Sequence, residues 1–248
     1  MSKTYLITGA GRGLGRGFVS TYLSRPNSVV IAAVRKPSEE CIKDLQSLPK
    51  APSSSLIVVK IDSSSETDAA AAVKQLQDEH KITRLDVVIA NAGMSHGVAR
   101  VEALSPTDLL EVYQVNVVGP IVLFSAVAPL LKQSQNHPKF VTISSCLGTI
   151  GSMEQYPVPN CSYGMSKAAL NFATKKIHLE NEHLIAFPIH PGWVQTDMGN
   201  AGAKSVGVEK APTTIDDSIS AVTKLIDEST RDSHSGKFMS YDGTTIAW

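Results

Sequence analysis

The sequence predicts an α/β fold: a doubly wound parallel sheet of about seven strands with helices on both faces. Three observations carry that reading. Strand-like apolar runs alternate with helix-like runs along the whole chain. Those runs are apolar throughout instead of alternating with polar residues, as strands covered on both faces are. A glycine-rich turn, Thr8-Gly9-Ala10-Gly11-Arg12-Gly13-Leu14-Gly15, follows the first run and opens the first helix.

Thr4 to Thr8 is the first strand, and Leu14, Phe18, Val19, Tyr22 and Leu23 follow it at helical spacing. Ser28 to Val34 is the second strand, trailed by a helix from Glu39 to Leu48. Ser55 to Ile61 is the third, and the Ala-rich run from Thr67 to His80 is a helix. Leu85 to Ala90 is the fourth. Ser105-Pro106-Thr107-Asp108 starts a helix, because a hydroxyl cap, a proline at the first position and an early acid all suit its free amides. That helix runs to about Gln133, and Pro120 and Pro129 are expected to bend or divide it.

Lys139 to Ser144 is the fifth strand, Ser162 to about Glu182 a helix, and Leu184 to His190 the sixth strand. After Pro191-Gly192 the chain reads as irregular to about Pro212, and Gly199, Gly202 and Gly207 suit a mobile lid. Thr213 or Thr214 caps a last helix through Glu228, and Lys237 to Ser240 is a final short strand. The polar stretch from Pro49 to Ser55 reads as a surface loop, and no linker or repeat divides the chain. One domain is expected over residues 1–248, carrying both cofactor and substrate sites.

Composition narrows the function classes. The formal net charge is zero, which gives no pull toward nucleic acid or an anionic membrane. Cys41, Cys146 and Cys161 form no C-x-x-C pair and leave an odd count, the pattern of a reducing, cytoplasmic setting. The N-terminus runs straight into a strand, with no signal-peptide pattern, and no apolar run approaches the ~18 residues of a membrane span. The histidines show no metal spacing, so no metal is expected.

The glycine turn sits where backbone amides meet a pyrophosphate. Gly9, Gly11, Arg12, Gly13, Leu14 and Gly15 are its cofactor-binding candidates. An NAD site usually carries an acid just past the second strand, bonded to the ribose. Here that strand ends in Arg35, and Arg12 offers a second cation. Arginine suits bidentate phosphate contact, so NADP(H) is expected, with both arginines on its 2′-phosphate. Asp62, after the third strand, is placed for the adenine amino group. Asn91-Ala92-Gly93, after the fourth, lies at the carboxyl edge, where small residues let the nicotinamide approach.

Tyr163 and Lys167 stand one helical turn apart. A phenol has a pKa near ~10, and a close, partly desolvated cation favours its ionised form. Lowering it by roughly 3 units needs about 4 kcal/mol and would give a proton donor and acceptor working near neutrality.

Taken in order, these pieces resemble the short-chain dehydrogenase/reductase family over essentially the whole chain. The matching positions are the glycine turn at 8–15, Asn91-Ala92-Gly93, Asn116, Ser144-Ser145, Tyr163-x-x-x-Lys167, and Pro191-Gly192 with Thr196. Trp193-Val194-Gln195-Thr196-Asp197-Met198-Gly199, Ala211-Pro212-Thr213-Thr214 and Ser235-Gly236-Lys237-Phe238 further resemble small fungal carbonyl reductases of the norsolorinic acid ketoreductase type.

The resemblance implies roles. Tyr163 would exchange the proton with the carbonyl oxygen. Lys167 would lower the phenol's pKa and bond the nicotinamide ribose. Ser145 would hold the carbonyl oxygen, and Asn116 would hold a water in a relay to Lys167. The Val194 backbone and Thr196 would fix the carboxamide, and Pro191 and Gly192 are further cofactor-binding candidates. Ser145 is preferred to Ser144 because the family places the catalytic serine second, and adjacent strand residues point oppositely. The offset from Ser145 to Tyr163 is long for the family, so residues 148–160 read as an inserted loop.

Met94, Leu147, Met153, Tyr156, Trp193 and Met198 are candidates for an apolar wall around a bulky or aromatic ketone. The expected reaction is hydride transfer from NADPH to a ketone or aldehyde, and the fungal resemblance implies polyketide or other secondary-metabolite substrates, or broad carbonyl clearance. A non-catalytic NADP(H) sensor or scaffold, an alcohol dehydrogenase working oxidatively, or a non-redox isomerase would share most of these features. The family implies a homodimer or homotetramer through the helices near 113–133 and around Tyr163. Ala168, Ala169 and Ala173 would permit close helix approach there, or would pack on the chain's own sheet.

Overall fold

The computed structural model describes residues 2–248. Its strands are β1 (Lys3–Thr8), β2 (Ser28–Val34), β3 (Ser55–Lys60), β4 (Val87–Ala90), β5 (Lys139–Ile143), β6 (Ile185–His190) and β7 (Met239–Ser240). They form one sheet in the order β3-β2-β1-β4-β5-β6-β7. Every pairing is parallel. The helices are α1 (Gly13–Leu23), α2 (Glu39–Gln46), α3 (Asp68–Asp78), α4 (Pro106–Tyr113), α5 (Gly119–Lys132), α6 (Cys161–Glu180), α7 (Asp197–Ser205) and α8 (Ile215–Glu228). This is the single-domain Rossmann-type sheet the sequence predicts.

Side-chain alternation along each strand feeds two cores. Ile7, Ile89, Val141 and Phe187 pack with Phe18 and Val19 of α1 and Val222 and Ile226 of α8. Leu6, Val88 and Phe140 point the other way, onto Leu76 of α3 and Leu123 and Val127 of α5. Strand order turns back between β1 and β4, which opens a crevice at their carboxyl ends.

Three features differ from the sequence expectation. Pro120 and Pro129 do not divide the fourth helical region, which is continuous over 106–132. A π-helical turn, Gln114–Val118, joins α4 to α5 immediately before Pro120, and Pro129 lies inside α5. Burial of Val127, Leu130 and Leu131 around Pro129 holds the helix together despite the missing donor. This 27-residue helix also has the length and hydropathy of a membrane span, contrary to the reading that no apolar run approaches that length. Its apolar face is buried against the sheet, as in the core helix of a globular domain.

The segment after Gly192 is not irregular throughout. Residues 197–205 form α7, started by the Thr196 hydroxyl, which accepts from the Gly199 N–H at 3.1 Å. The Trp193 indole N–H donates to the Gly199 carbonyl at 3.0 Å. Its glycines hide this helix from propensity reasoning, whereas the cap and the indole contact specify it. Thr214, not Thr213, caps α8 by accepting from the Asp217 N–H at 3.1 Å.

Candidate active site

The carboxyl ends of β1, β4, β5 and β6 bring the predicted residues to one crevice. At β1, Gly9 takes a left-handed φ of +65°, which turns the chain back over the sheet. A Cβ on Gly15 would stand 2.1 Å from the Gly9 carbonyl oxygen, so only glycine lets α1 approach this closely. Gly11 lies over Cys41 and Val34. Leu14 packs its side chain into the core and offers the site only its backbone. The first turn of α1 has no side-chain cap and no acidic residue. Its amides are therefore open to an anion, and a dinucleotide pyrophosphate fits this cradle.

Asn91 braces that cradle. Its Nδ2 donates to the Thr8 carbonyl at 2.8 Å, while the Thr8 hydroxyl accepts from the Asn91 and Ala92 N–H groups, each at 3.0 Å. Asn91 thus acts on the glycine turn from the β4 side. Asp62 accepts from the Ser64 N–H and hydroxyl at 2.9 and 2.7 Å. Burial works to raise its pKa, but those bonds and the Arg35 charge hold it below the ordinary carboxylate value. Arg35 is exposed at the end of β2. Arg12 pairs with Asp197 of α7 at 3.1 Å, both side chains largely exposed. Both guanidinium groups are exposed to solvent, Arg12 at the glycine turn and Arg35 after β2.

At β5 the adjacent serines face different ways. The Ser144 hydroxyl donates to Asn171 Oδ1 on α6 at 2.6 Å. The Ser145 hydroxyl accepts from the Leu147 N–H at 3.2 Å and lies near the Tyr163 phenol, on whose pKa it has a lowering effect. Lys167 is 3% exposed and donates to the Ile143 carbonyl at 2.8 Å, with its Nζ 5.4 Å from the Tyr163 ring centroid.

The electrostatics correct the simple sequence argument. Burial pushes the Tyr163 phenol up to about 12, against a smaller lowering by the nearby Ser145 hydroxyl. Burial likewise brings the Lys167 ammonium down to about 8. In the protein alone desolvation outweighs the attraction that a phenol–lysine pair was expected to supply. The two groups are poised in their proton-bearing forms at neutral pH.

Asn116 lies in the π-helical turn and is fully buried. Its Oδ1 accepts from the Met94 N–H at 2.8 Å and its Nδ2 donates to the Met94 carbonyl at 2.9 Å. At β6, Pro191 is held through its carbonyl by the Ser218 hydroxyl at 2.6 Å, and Gly192 has a φ of +88°. Val194 is buried and bridges to Thr213, which presents the Val194–Thr196 segment along the crevice.

The proposed apolar wall is only partly gathered. Leu147 sits in the short turn after Ser145, and Met94 lies beside Asn116. Trp193 is turned to α7, whereas Met153 and Met198 are 54% and 41% exposed. Tyr156 shares surroundings with Cys146 and Asp242, which with burial raise its phenol. Sequence reasoning missed Ser166, Asn171 and Asp197. Ser166 stood in plain view before Lys167, but its partner is 50 positions away.

This glycine cradle, with a serine–tyrosine–lysine group at the carboxyl edge of a parallel sheet, is an oxidoreductase site. The family model for short chain dehydrogenases matches residues 3–206, and the chain belongs to that family. Over 248 residues it is 43% identical to the norsolorinic acid ketoreductase of Dothistroma septosporum, covering 99% of this chain and 92% of that protein. The norsolorinic acid ketoreductase of Aspergillus parasiticus is 42% identical, over 98% of this chain and 90% of its own. Among solved structures, the NADPH-bound carbonyl reductase from chicken fatty liver superposes with a TM-score of 0.86 at 30% identity, covering 100% of this chain and 94% of that one. The carbonyl reductase Sniffer of D. melanogaster gives 0.84 at 29% identity, with both chains fully covered.

Proposed function

We propose that this protein is an NADPH-dependent carbonyl reductase acting on a bulky, aromatic ketone of the polyketide type. The observation that carries the reading is the buried Lys167 ammonium 5.4 Å from the Tyr163 ring centroid, with the Ser145 hydroxyl near the same phenol. The bound nicotinamide would supply the hydride. Ser145 orients the carbonyl oxygen and stabilises the charge that develops on it. Tyr163 delivers its phenolic proton to that oxygen, giving the alcohol. Lys167 keeps a positive charge near the phenolate so formed, and the Asn116 turn holds a path for the replacement proton. Gly9, Gly13, Gly15 and the α1 amides would hold the pyrophosphate, with Asp62 toward the adenine and Val194 and Thr196 toward the carboxamide.

The choice of NADPH rests on Arg35 at the end of β2, with no acid beside it, and on Arg12 in the glycine turn. The NADPH-bound carbonyl reductase among the structural neighbours supports it. The polyketide setting rests on the relatives named for norsolorinic acid reduction. Unpaired Cys41, Cys146 and Cys161 support a cytoplasmic place. Self-association as a homodimer or homotetramer is supported by Met165, Phe172 and Leu179, which recur every seventh residue on α6 and are 49%, 71% and 58% exposed.

The test is NADPH oxidation by the purified protein against ketones, aldehydes, quinones and anthraquinone-type ketones, beside Tyr163→Phe. Turnover of an aromatic ketone that falls by roughly 10²-fold or more in the variant, with NADPH affinity retained, is the expected result. Tight NADPH binding without turnover of any carbonyl would favour a sensor instead. Equal affinity for NADH and NADPH would remove the cofactor assignment.

A further inference from the structure

We propose that Ser166 is the positioning residue that fixes the orientation of the Asn116 amide, and through it the π-helical turn and the β4 exit that flank Lys167. The Ser166 hydroxyl is fully buried and donates to the Tyr163 carbonyl at 2.7 Å. A hydroxyl has a single proton to give, so its oxygen can serve any further neighbour only as an acceptor. That neighbour is Asn116 Nδ2, at 3.0 Å. As long as that proton stays on the Tyr163 carbonyl, the amide turns its nitrogen toward Ser166.

The Met94 backbone asks for the same orientation, since its N–H can only donate and its carbonyl only accept, and Ser166 adds the third contact. With Nδ2 toward Ser166, its second proton reaches the Met94 carbonyl at 2.9 Å, and Oδ1 receives the Met94 N–H at 2.8 Å. The reversed amide would face an oxygen with an oxygen at both Ser166 and the Met94 carbonyl, and a nitrogen with an N–H. The Asn116 amide and the Ser166 hydroxyl are themselves fully buried, where an unmet polar group is costly.

The amide orientation also matters to Lys167. A Cβ placed on Gly93 would stand 3.2 Å from Asn116 Oδ1 and 3.6 Å from Lys167 Nζ, so both atoms converge on one point. Held by Ser166, the amide presents its electronegative end to the side where the ammonium lies. One hydrogen-bonded line thus joins the helix carrying Tyr163 and Lys167 to the turn carrying Asn116 and to Met94. Thr8 and Asn91 continue the brace from β4 to the glycine turn.

The consequence for catalysis rests on the reductase reading, but the linkage is measurable without it. Ser166→Ala, Ser166→Thr and wild type are compared by hydrogen–deuterium exchange over the peptide containing Met94, with no ligand present. Faster exchange of the Met94 amide in Ser166→Ala, restored by Ser166→Thr, is the expected result. Unchanged exchange in Ser166→Ala, with the fold intact by circular dichroism, overturns the proposal.

Kinetics then read the effect on the reaction. In Ser166→Ala, kcat is expected to fall about tenfold while the KM for NADPH stays put, the size of one buried hydrogen bond realised late in the reaction. The Asn116→Ala/Ser166→Ala double variant should be no slower than Asn116→Ala alone, because Ser166 acts through Asn116. Additive losses would overturn that route. Wild type without carbonyl turnover, but with the exchange response present, faults the reductase reading and leaves the Ser166 linkage standing.

Discussion

Lys167 carries its charge against strong desolvation, and this fixes a pH dependence. Its folded pKa is down at about 8, below that of an exposed lysine. The ammonium is present below that value and lost above it. Reductase kcat/KM should therefore decline as pH rises through about 8. Lys167→Arg, whose charge does not titrate there, should move that decline upward in a pH–rate profile even if its maximum is lower. His190 gives a stability counterpart. Burial brings its folded pKa down to about 4, and its Nδ1 is buried without a partner. The unfolded chain binds the proton first, so stability is retained above about 6.5 and falls as pH drops toward the folded value. Thermal denaturation across that window should show a shallower acid decline in His190→Gln. The Tyr163–Lys167 pair was legible because helical spacing brings the two together. The direction of its pKa shift was not, because spacing says nothing of how much water the surrounding fold removes.

At the scale of elements, caps and close approaches explain more than propensity. Thr214 caps α8 and also donates to the Asp217 carboxylate at 2.6 Å. Thr214→Ala should cost about 1 kcal/mol and lower the melting temperature by about 2–4 °C in scanning calorimetry. Gly15→Ala should be far more severe, since its Cβ would meet the Gly9 carbonyl at 2.1 Å. The expected outcome is loss of NADPH binding by fluorescence titration, even where the variant folds. The glycine turn could be read from the chain because it is contiguous and follows a strand. Helix α7 could not, since Gly199 and Gly202 argue against a helix while the Thr196 cap and the Trp193 contact secure one. The π-helical turn was equally hidden. What stabilises it is Asn116 reaching Met94 and Ser166, partners far away in sequence.

At the scale of the whole molecule, the exposed stripe on α6 makes a separable prediction. Phe172 is 71% exposed midway between Met165 and Leu179. If the chain associates with itself through this face, Phe172→Asp should yield a monomer by light scattering while wild type is larger. A wild-type monomer at all concentrations would remove the interface. The sheet and its ligand edge were foreseeable because each apolar run is followed by a helix, a pattern that forces parallel crossovers. Which side chains would meet Asp197 or Ser166 depended on how those crossovers close in space.

The strand order has a further consequence, for how the chain is made. Residues up to Lys60 contain β1, β2 and β3, three adjacent strands of the seven that can assemble as soon as they leave the ribosome. The free edge of β1 must then wait for β4, at Val87–Ala90, to emerge. An unpaired central strand is a template for wrong partners. The interval between those two segments is therefore when the nascent protein most needs a chaperone, and slowing elongation there should lower the soluble yield.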